Sequence, residues 1–292
     1  MPCNQEEEAW RSCFRNPVLY EFEQLLFVNV ISREGQFLVK SERLNQAGLI
    51  YGESAPLGGL NVSKRLQLLN RIRPFGGQIA VDLGCGKGSY TAELAQWYEV
   101  IMGMDIVPEN ISIARERLQL NGSRKIHLLC AAGDAIPLAN EAVDSVFLIE
   151  VLDHVPFLRP CLEEVFRVLK PGGILFLTVP HRKFPWEIHP IRFLGELRHP
   201  GWFPFLPWFK FFHDRMATAR VFSKRSLREL GEGVGLSLVG METGYPPLEH
   251  RGGARLRSFM NWLETTPLRD FGLILAAAFS KPKEERLHAG AN

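Results

Sequence analysis

The sequence contains few cysteines and no paired cysteine motif. Its five cysteines form no Cys-x-x-Cys pair, and their number is odd. This argues against a disulfide framework and a zinc knuckle, and it favours a reducing compartment. The cysteines are Cys3, Cys13, Cys85, Cys130 and Cys161.

Long apolar runs are also missing. The longest, residues 273–279, is much shorter than the roughly 20 residues that a membrane-spanning helix needs. The first residues are acidic, whereas a secretory signal begins with basic residues and continues with an apolar stretch. We therefore expect a cytoplasmic protein, or one that contacts membranes only peripherally.

The chain has no large excess of positive or negative charge. The 34 basic and 32 acidic residues give a net charge of +2, so the chain as a whole lacks the strongly basic character of a nucleic-acid-binding protein. Hydrophobic residues make up 46% of 292 residues. A chain of this length and composition can bury a substantial core, which excludes a wholly disordered or fibrous protein.

Short apolar runs alternate with amphipathic stretches between residues 78 and 179. This alternation is typical of βαβ units and predicts a parallel sheet with helices on both faces. The predicted fold class is α/β, with a doubly wound, mostly parallel seven-stranded sheet and an antiparallel edge strand. The runs are 79–83, 100–105, 126–131, 145–149 and 174–179, and the amphipathic stretches are 90–96, 108–120 and 158–169.

Changes in composition predict the domain organisation. Ser63 and Ser223 are predicted to cap helices. The segment 51–59 is a loop by composition, either a plain connector or a segment that closes over a ligand. The predicted segments are a helical N-terminal part (1–75), a Rossmann-like core (76–180), an insertion (181–222), a sheet-completing part (223–281) with a second insertion (244–270), and a frayed tail (282–292).

A glycine-rich turn follows the first predicted strand, and carboxylates follow the first three. In Asp82-Leu83-Gly84-Cys85-Gly86-Lys87-Gly88, glycines lie two, four and six residues after the acid, whereas the third glycine of a dinucleotide fingerprint would fall on Ser89. Asp105 ends the second run, where a carboxylate can accept hydrogen bonds from ribose hydroxyls. Asp134 follows the third run, where a carboxylate can accept an adenine amino group. Carboxyl ends of parallel strands meet in the crevice where such folds bind ligands.

These motifs resemble those of class I S-adenosylmethionine-dependent methyltransferases, in the broad branch that includes quinone-biosynthesis and many small-molecule enzymes. The resemblance covers about residues 75–180 and is specific for the cofactor and the reaction, but not for the substrate. The matching segments are 81–88, 103–106, 133–138, 149–155 (Ile-Glu-Val-Leu-Asp-His-Val) and 167–173 (Arg-Val-Leu-Lys-Pro-Gly-Gly).

The resemblance implies S-adenosylmethionine as the cofactor and a role for each matching residue. The residues it implies are Asp82, Gly84 and Gly86 for the methionine moiety, Asp105 for the ribose, Asp134 and Ala135 for the adenine, and Glu150 at the methyl-transfer face, with Cys85 and Ile106 as further cofactor-binding residues.

His154 and His181 are the candidate general bases, because each follows a strand at the same edge of the sheet. The alternatives are that His154 fixes the cofactor loop and that His181 packs against the insertion. Glu150, Asp153 and His154 also resemble a Glu-x-x-Glu-His pattern that binds a divalent metal in some relatives. Asp153 is one methylene shorter than the second Glu of that pattern, so no metal is predicted.

The insertion is rich in aromatic and basic residues. Ten aromatic residues lie between residues 184 and 212, and residues 181–228 carry ten Lys and Arg against three acids. This composition favours a lid over a hydrophobic or lipid-like acceptor that also contacts an anionic membrane surface. The alternatives are a second small aromatic core and base stacking on single-stranded RNA.

We therefore expect methyl transfer to a small, hydrophobic or lipid-like acceptor, with O- or C-methylation favoured. An enzyme acting on RNA or protein, or a non-catalytic binding protein with this fold, is the alternative. The strand-four exit, residues 149–152, lacks the Asn/Asp-Pro-Pro-aromatic segment that grips a nucleobase amino group. Nucleic acid is therefore the less favoured partner.

Overall fold

The computed structural model describes residues 59–119, 125–193, 196–198, 204–245, 258–259 and 262–283. Most of the predicted N-terminal helical segment, nearly all of the 51–59 loop, and the tail from residue 284 lie outside the described residues. In the described part of the chain, no helix is long and apolar enough to cross a membrane.

A seven-stranded sheet forms the centre of the fold. The order across the sheet is β3-β2-β1-β4-β5-β9-β8. Strands β1 to β5 pair in parallel, and β9 runs antiparallel to both β5 and β8. The predicted α/β fold with a mostly parallel seven-stranded sheet is confirmed. The strands are β1 (Gly77–Leu83), β2 (Tyr98–Asp105), β3 (Ile126–Cys130), β4 (Val143–Ile149), β5 (Leu169–Pro180), β8 (Ser237–Gly244) and β9 (Ile274–Ser280).

Helices cover both faces of the sheet. One buried cluster packs α1 and α2 against the sheet through residues such as Leu69 and Leu94. A second packs α4 and α6 through Leu162 and Leu227 on the opposite face. The helices that flank the sheet are α1 (Leu60–Ile72), α2 (Ser89–Leu94), α3 (Pro108–Arg117), α4 (Leu158–Val168) and α6 (Lys224–Glu232).

The two predicted helix caps had different outcomes. Ser223 caps α6, because its Oγ accepts the Ser226 N–H at 3.0 Å and the Ser226 Oγ accepts the Ser223 N–H at 3.0 Å. The cap at Ser63 is wrong. Helix α1 begins at Leu60, and the Gly59 carbonyl accepts the N–H groups of both Val62 and Ser63. Ser63 therefore lies inside the first turn.

The insertion leaves and re-enters the fold at one point, the end of β5. The Arg182 N–H donates to the Phe222 carbonyl, and the Phe222 N–H donates to the Pro180 carbonyl, both at 2.9 Å. The insertion therefore projects from the sheet edge where the parallel strands end. It contains a hairpin of β6 (Ile191–Phe193) and β7 (Glu196–Arg198), a 3₁₀ turn (Leu206–Trp208) and helix α5 (Lys210–Met216).

Candidate active site

The glycine turn after β1 is held against the end of β2. The N–H groups of Gly84 and Cys85 donate to the Met104 carbonyl at 2.7 and 2.9 Å. Gly84 has a φ of 78°, and a Cβ built there would lie 2.4 Å from Val151, in the loop after β4. Only glycine fits this position, because it needs left-handed backbone and has no room for a side chain.

Two buried carboxylates flank this turn. The Oδ2 of Asp105 accepts the Gly86 N–H at 2.8 Å, and its Oδ1 accepts the Val107 N–H at 2.9 Å. The Oδ2 of Asp82 accepts the Thr91 hydroxyl at 2.6 Å. Burial raises the pKa of Asp82 to about 7, the Thr91 hydrogen bond opposes this rise, and the nearby charge of Asp105 adds to it. A cationic ligand group beside Asp82 would therefore stabilise its ionised form.

The β3 exit packs against the end of β1. A Cβ at Gly133 would lie 3.0 Å from the Cys161 sulfur and 3.6 Å from Leu83. Asp134 is half-buried and Ala135 exposed in the turn that follows, where the Ala135 N–H donates to the Ala132 carbonyl at 3.1 Å. The exits of β1, β2 and β3 thus place their three carboxylates along one edge of the sheet.

Cys85 and Ile106 lie at the first two of these exits. Cys85 is buried, and desolvation raises the pKa of its thiol, so the thiol stays neutral. The Ile106 carbonyl accepts a hydrogen bond from the Cys130 thiol at 3.7 Å. A bound ligand would therefore meet backbone and apolar atoms of these two residues, not a reactive side-chain group.

Glu150 turns back toward β5 and α1. Its backbone has a φ of 55°, and its Oε1 accepts the Thr178 hydroxyl at 2.8 Å. Its Oε2 lies 3.3 Å from an Arg65 guanidinium nitrogen. Among the described residues, the buried Nε of Arg65 has no hydrogen-bond partner. No sequence pattern pointed to Arg65, because α1 precedes the glycine motif and approaches it only in the folded chain.

A buried polar cluster joins the β4 exit to the insertion. The Nε2 atoms of His154 and His189 lie 3.1 and 3.6 Å from the Oδ2 of the fully buried Asp153. The Oε1 of Glu187 lies 3.1 Å from the His189 Nδ1, and its Oε2 lies 2.8 Å from the His213 Nε2. Burial favours a higher pKa for Glu187, but hydrogen bonds from both imidazoles lower it to about 2. Sequence analysis missed Glu187, His189 and His213.

His181 lies at the junction of β5 and the insertion. Its Nδ1 is 3.1 Å from the Gly272 carbonyl, which can only accept, so Nδ1 carries the proton. Burial lowers the pKa of His181 to about 4, and the hydrogen bond to Gly272 opposes this shift. The imidazole is therefore neutral near pH 7, and Nε2 is the nitrogen with a free lone pair.

Within the part of the insertion that the structure describes, the aromatic side chains do not build a buried second core. Seven of the rings within the described residues are exposed by 41% to 63% of their surface, and Phe184 is half-buried. Neighbouring rings form an exposed ladder, with Phe205 and Trp208 4.8 Å apart at their centroids. Trp202 and Phe203 lie outside the described residues. The exposed rings are Trp186, Phe193, Phe205, Trp208, Phe209, Phe211 and Phe212.

The sheet order is that of the class I S-adenosylmethionine-dependent methyltransferase fold. Residues 81–177 match the methyltransferase domain family. The chain therefore contains a methyltransferase domain. At the level of this family, the predicted resemblance and its cofactor, S-adenosylmethionine, are confirmed.

Curated relatives match the same part of the chain. The ubiquinone biosynthesis O-methyltransferase of Mus musculus is 32% identical over 45% of this chain and 39% of its own length. The corresponding protein of Xylella fastidiosa strain 9a5c is 30% identical over 45% of this chain and 53% of its own. An O-methyltransferase of Pyrenophora dematioidea is 36% identical over 39% and 43%. The chain thus spans about half or less of the length of these relatives.

Solved structures share the fold at low identity. An S-adenosylmethionine-dependent methyltransferase from Mesorhizobium loti aligns with a TM-score of 0.55 at 17% identity, covering 76% of this chain and all of the other. The [4+2]-cyclase SpnF aligns with a TM-score of 0.52 at 18% identity, covering 85% and 93%. The same fold therefore occurs in a protein named for a different reaction, so the activity has to be argued from the site.

Proposed function

We propose that this chain transfers the methyl group of S-adenosylmethionine to an oxygen atom of a small hydrophobic acceptor. The observation that carries the proposal is the hydrogen bond between Gly86 and Asp105, which sets a carboxylate and a glycine turn side by side next to buried Asp82. Relatives named O-methyltransferase favour oxygen over carbon as the methylated atom.

Each proposed contact uses chemistry that the site offers. Asp105 would accept ribose hydroxyls, Asp134 with Ala135 would face the adenine, and Ile106 would contact the cofactor beside Asp105. Asp82, Gly84, Cys85 and Gly86 would surround the methionine moiety, whose ammonium suits a buried carboxylate of raised pKa. Glu150 would line the methyl-transfer face. Arg65 forms an ion pair with Glu150, and its Nε has no partner among the described residues, so its guanidinium is suited to the cofactor carboxylate.

Bound S-adenosylmethionine supplies an electrophilic methyl group, so the chain need not generate a reactive species. Its residues align the acceptor oxygen for in-line attack and exclude water, which together contribute up to about 7–11 kcal/mol. An acceptor hydroxyl also loses a proton. His154 and His181 are the candidate proton acceptors, and a base at this point adds roughly 10²–10⁴-fold. His181 offers its Nε2, although its lowered pKa makes it a weak base.

We also propose that the insertion contacts an anionic membrane surface and presents a hydrophobic acceptor to the site. Exposed Phe209, Phe211 and Phe212 lie beside Lys210 and Arg215, so apolar rings and cations share one surface. Rings that remain exposed suit insertion into a lipid interface better than closure over a dry pocket. Base stacking on RNA uses similar groups and is the competing outcome.

Cofactor binding by an Asp105→Ala variant tests the proposed site. We expect titration calorimetry with S-adenosylmethionine and S-adenosylhomocysteine to show affinity at least tenfold below wild type, because losing a charge-assisted hydrogen bond costs about 1.5–3 kcal/mol. Glu116→Ala, an exposed acid on α3, is the matched control. Unchanged affinity in a folded Asp105→Ala variant, or no binding by wild type, would refute the cofactor site.

A further inference from the structure

Segment 167–173 belongs to the family resemblance, but none of its residues is among the proposed cofactor contacts. Its first residue, Arg167, lies in the last turn of α4. The guanidinium of Arg167 contacts segment 136–140, which continues directly from the turn that carries Asp134 and Ala135. The contacts of Arg167 therefore concern the adenine side of the candidate site.

The Arg167 guanidinium binds this segment at three points. Its Nη2 donates to the Ile136 carbonyl at 2.8 Å, and its Nη1 donates to the Leu138 carbonyl at 2.7 Å and to the Asn140 Oδ1 at 3.0 Å. Its Nε and Nη2 also donate to the two carboxylate oxygens of Glu164, one turn earlier in α4, at 2.7 and 2.8 Å. All five N–H groups of the guanidinium therefore have an acceptor. The planar fork of arginine can reach these acceptors together, whereas a lysine ammonium cannot.

Glu164 binds the same segment through its backbone. Its Oε2 accepts the Ile136 N–H at 2.9 Å, so both backbone groups of Ile136 bond to side chains of α4. At the other end of the turn, the Ala131 N–H donates to the Asp105 carbonyl at 3.0 Å. The turn that carries Asp134 is therefore fixed at one end by β2 and at the other end by α4.

Apolar contacts place α4 against the same turn. Ile136 and Leu138 belong to the buried cluster that includes the apolar face of α4. A Cβ at Gly133 would lie 3.0 Å from the Cys161 sulfur, which leaves little room for a side chain between the turn and the helix. Cys161 lies three residues before Glu164, so the close contact and the hydrogen bonds come from one face of the helix.

We propose that Glu164 and Arg167 are positioning residues that make the cofactor site selective for adenine, because they hold the turn from which Asp134 accepts the adenine amino group. This inference rests on the proposed function, which places the adenine at Asp134 and Ala135. An amino group donates to a carboxylate, whereas a carbonyl oxygen at the same position of the base would repel it. Such discrimination needs a side chain held to within about 0.5 Å. Arg167 and Glu164 do not touch the cofactor and act only through the turn.

The preference for adenine in cofactor binding tests this role separately from methyl transfer. The full chain is titrated by calorimetry with S-adenosylhomocysteine and with S-inosylhomocysteine, which carries a carbonyl oxygen in place of the adenine amino group. We expect wild type to bind the adenosyl compound at least about tenfold more tightly, because a hydrogen bond to a charged group is lost with the inosyl compound. Arg167→Lys should reduce this preference to about threefold or less. A purely structural role would lower both affinities by the same factor and leave the preference unchanged.

A second ion pair on α4 supplies the matched control. Arg159 pairs with Glu163 on the exposed side of the same helix, so Arg159→Lys should keep both affinities and the preference of wild type. Glu164→Gln, which removes one acceptor oxygen from Arg167, is the second variant if Arg167→Lys fails to fold, and it should also reduce the preference. A wild-type preference that both variants retain, or wild-type binding without any preference, would overturn the inference and leave the cofactor site standing. No binding of either compound by wild type would instead refute the cofactor site on which the inference rests.

Discussion

His181 shows how one buried side chain can link stability to pH. Its folded-state pKa of about 4 lies below the unfolded value of 6.5, mainly because burial disfavours the charged imidazole. Lys224 and Lys183 also disfavour the charge, while Gly272 and Asp270 favour it. The unfolded chain therefore binds more protons than the folded chain between pH 6.5 and 4, and stability falls as pH falls through this window.

We expect the free energy of unfolding to fall by about 2 kcal/mol between pH 7.5 and 5 because of His181 alone. His181→Asn keeps a donor for the Gly272 carbonyl but does not titrate. Urea unfolding at both pH values should therefore show a drop about 2 kcal/mol smaller in this variant. Equal drops in variant and wild type would mean that His181 titrates normally in the folded chain.

Residues of the site differ in how far sequence alone could locate them. Asp82, Asp105 and Asp134 follow successive apolar runs, and the carboxyl ends of parallel strands meet at one edge, so their placement follows from periodicity. His189 and Glu187 approach Asp153 only because the insertion folds back over the β4 exit. No local pattern encodes such a contact between distant segments.

The elements were predictable to different degrees for physical reasons. Central parallel strands are buried on both faces, so β1, β2, β4 and β5 appear as continuous apolar runs and were predicted from them, whereas β3, also predicted, is a half-buried edge strand. The start of α1 was not predicted, because Gly59 supplies only backbone groups at its N-terminus and Ser63 is the nearest conventional cap. The hairpin of β6 and β7 has three-residue strands, too short for a visible alternation.

Helix α6 packs against β9 at Gly231, a residue without a side chain. A Cβ at Gly231 would lie 2.5 Å from a ring carbon of Phe279, which is fully buried. Helix propensity alone favours alanine over glycine by about 1 kcal/mol, whereas overpacking a core costs about 1–3 kcal/mol. The two effects have opposite signs, so one substitution can distinguish them.

We expect Gly231→Ala to lower the free energy of unfolding by about 1–2 kcal/mol, because the rigid Phe279 ring cannot yield. Glu232→Ala, at the exposed neighbouring position of the same helix, should stay within about 0.5 kcal/mol of wild type. Urea denaturation of the three proteins measures both values. A Gly231→Ala protein more stable than wild type would show that the helix is not this close to β9.

Across the whole molecule, the candidate site residues and the insertion lie at the same edge of the sheet. The glycine turn follows β1, Asp153 follows β4, and the insertion begins at the end of β5, all at the carboxyl ends of parallel strands. An acceptor held by the insertion would therefore approach the cofactor from the edge where the methyl group is expected.

The exposed surface of the insertion carries aromatic rings together with charged side chains. Arg215 lies over the Phe211 ring and Lys183 over the Phe271 ring, while Asp214 pairs with Lys210 and Asp270 pairs with Lys183 and Lys224. Carboxylates therefore neutralise part of the positive charge beside the rings. Burial of the exposed rings in the membrane should therefore contribute more to membrane binding than charge attraction does. Membrane binding should then depend only partly on salt concentration.

We expect the protein to sediment with vesicles of phosphatidylglycerol and phosphatidylcholine, and to retain part of this binding at 0.5 M NaCl. Phe209, Phe211 and Phe212 are 59%, 63% and 56% exposed, so each can still bury about half of its ring, worth about 1 kcal/mol. Replacing all three with Ser should lower vesicle binding roughly a hundredfold. Val239→Ser, which removes an exposed apolar side chain from edge strand β8, is the control and should bind like wild type. Vesicle binding unchanged in the triple variant would refute the membrane surface. Binding to single-stranded RNA but not to vesicles, abolished by salt, would instead favour stacking of bases on these rings.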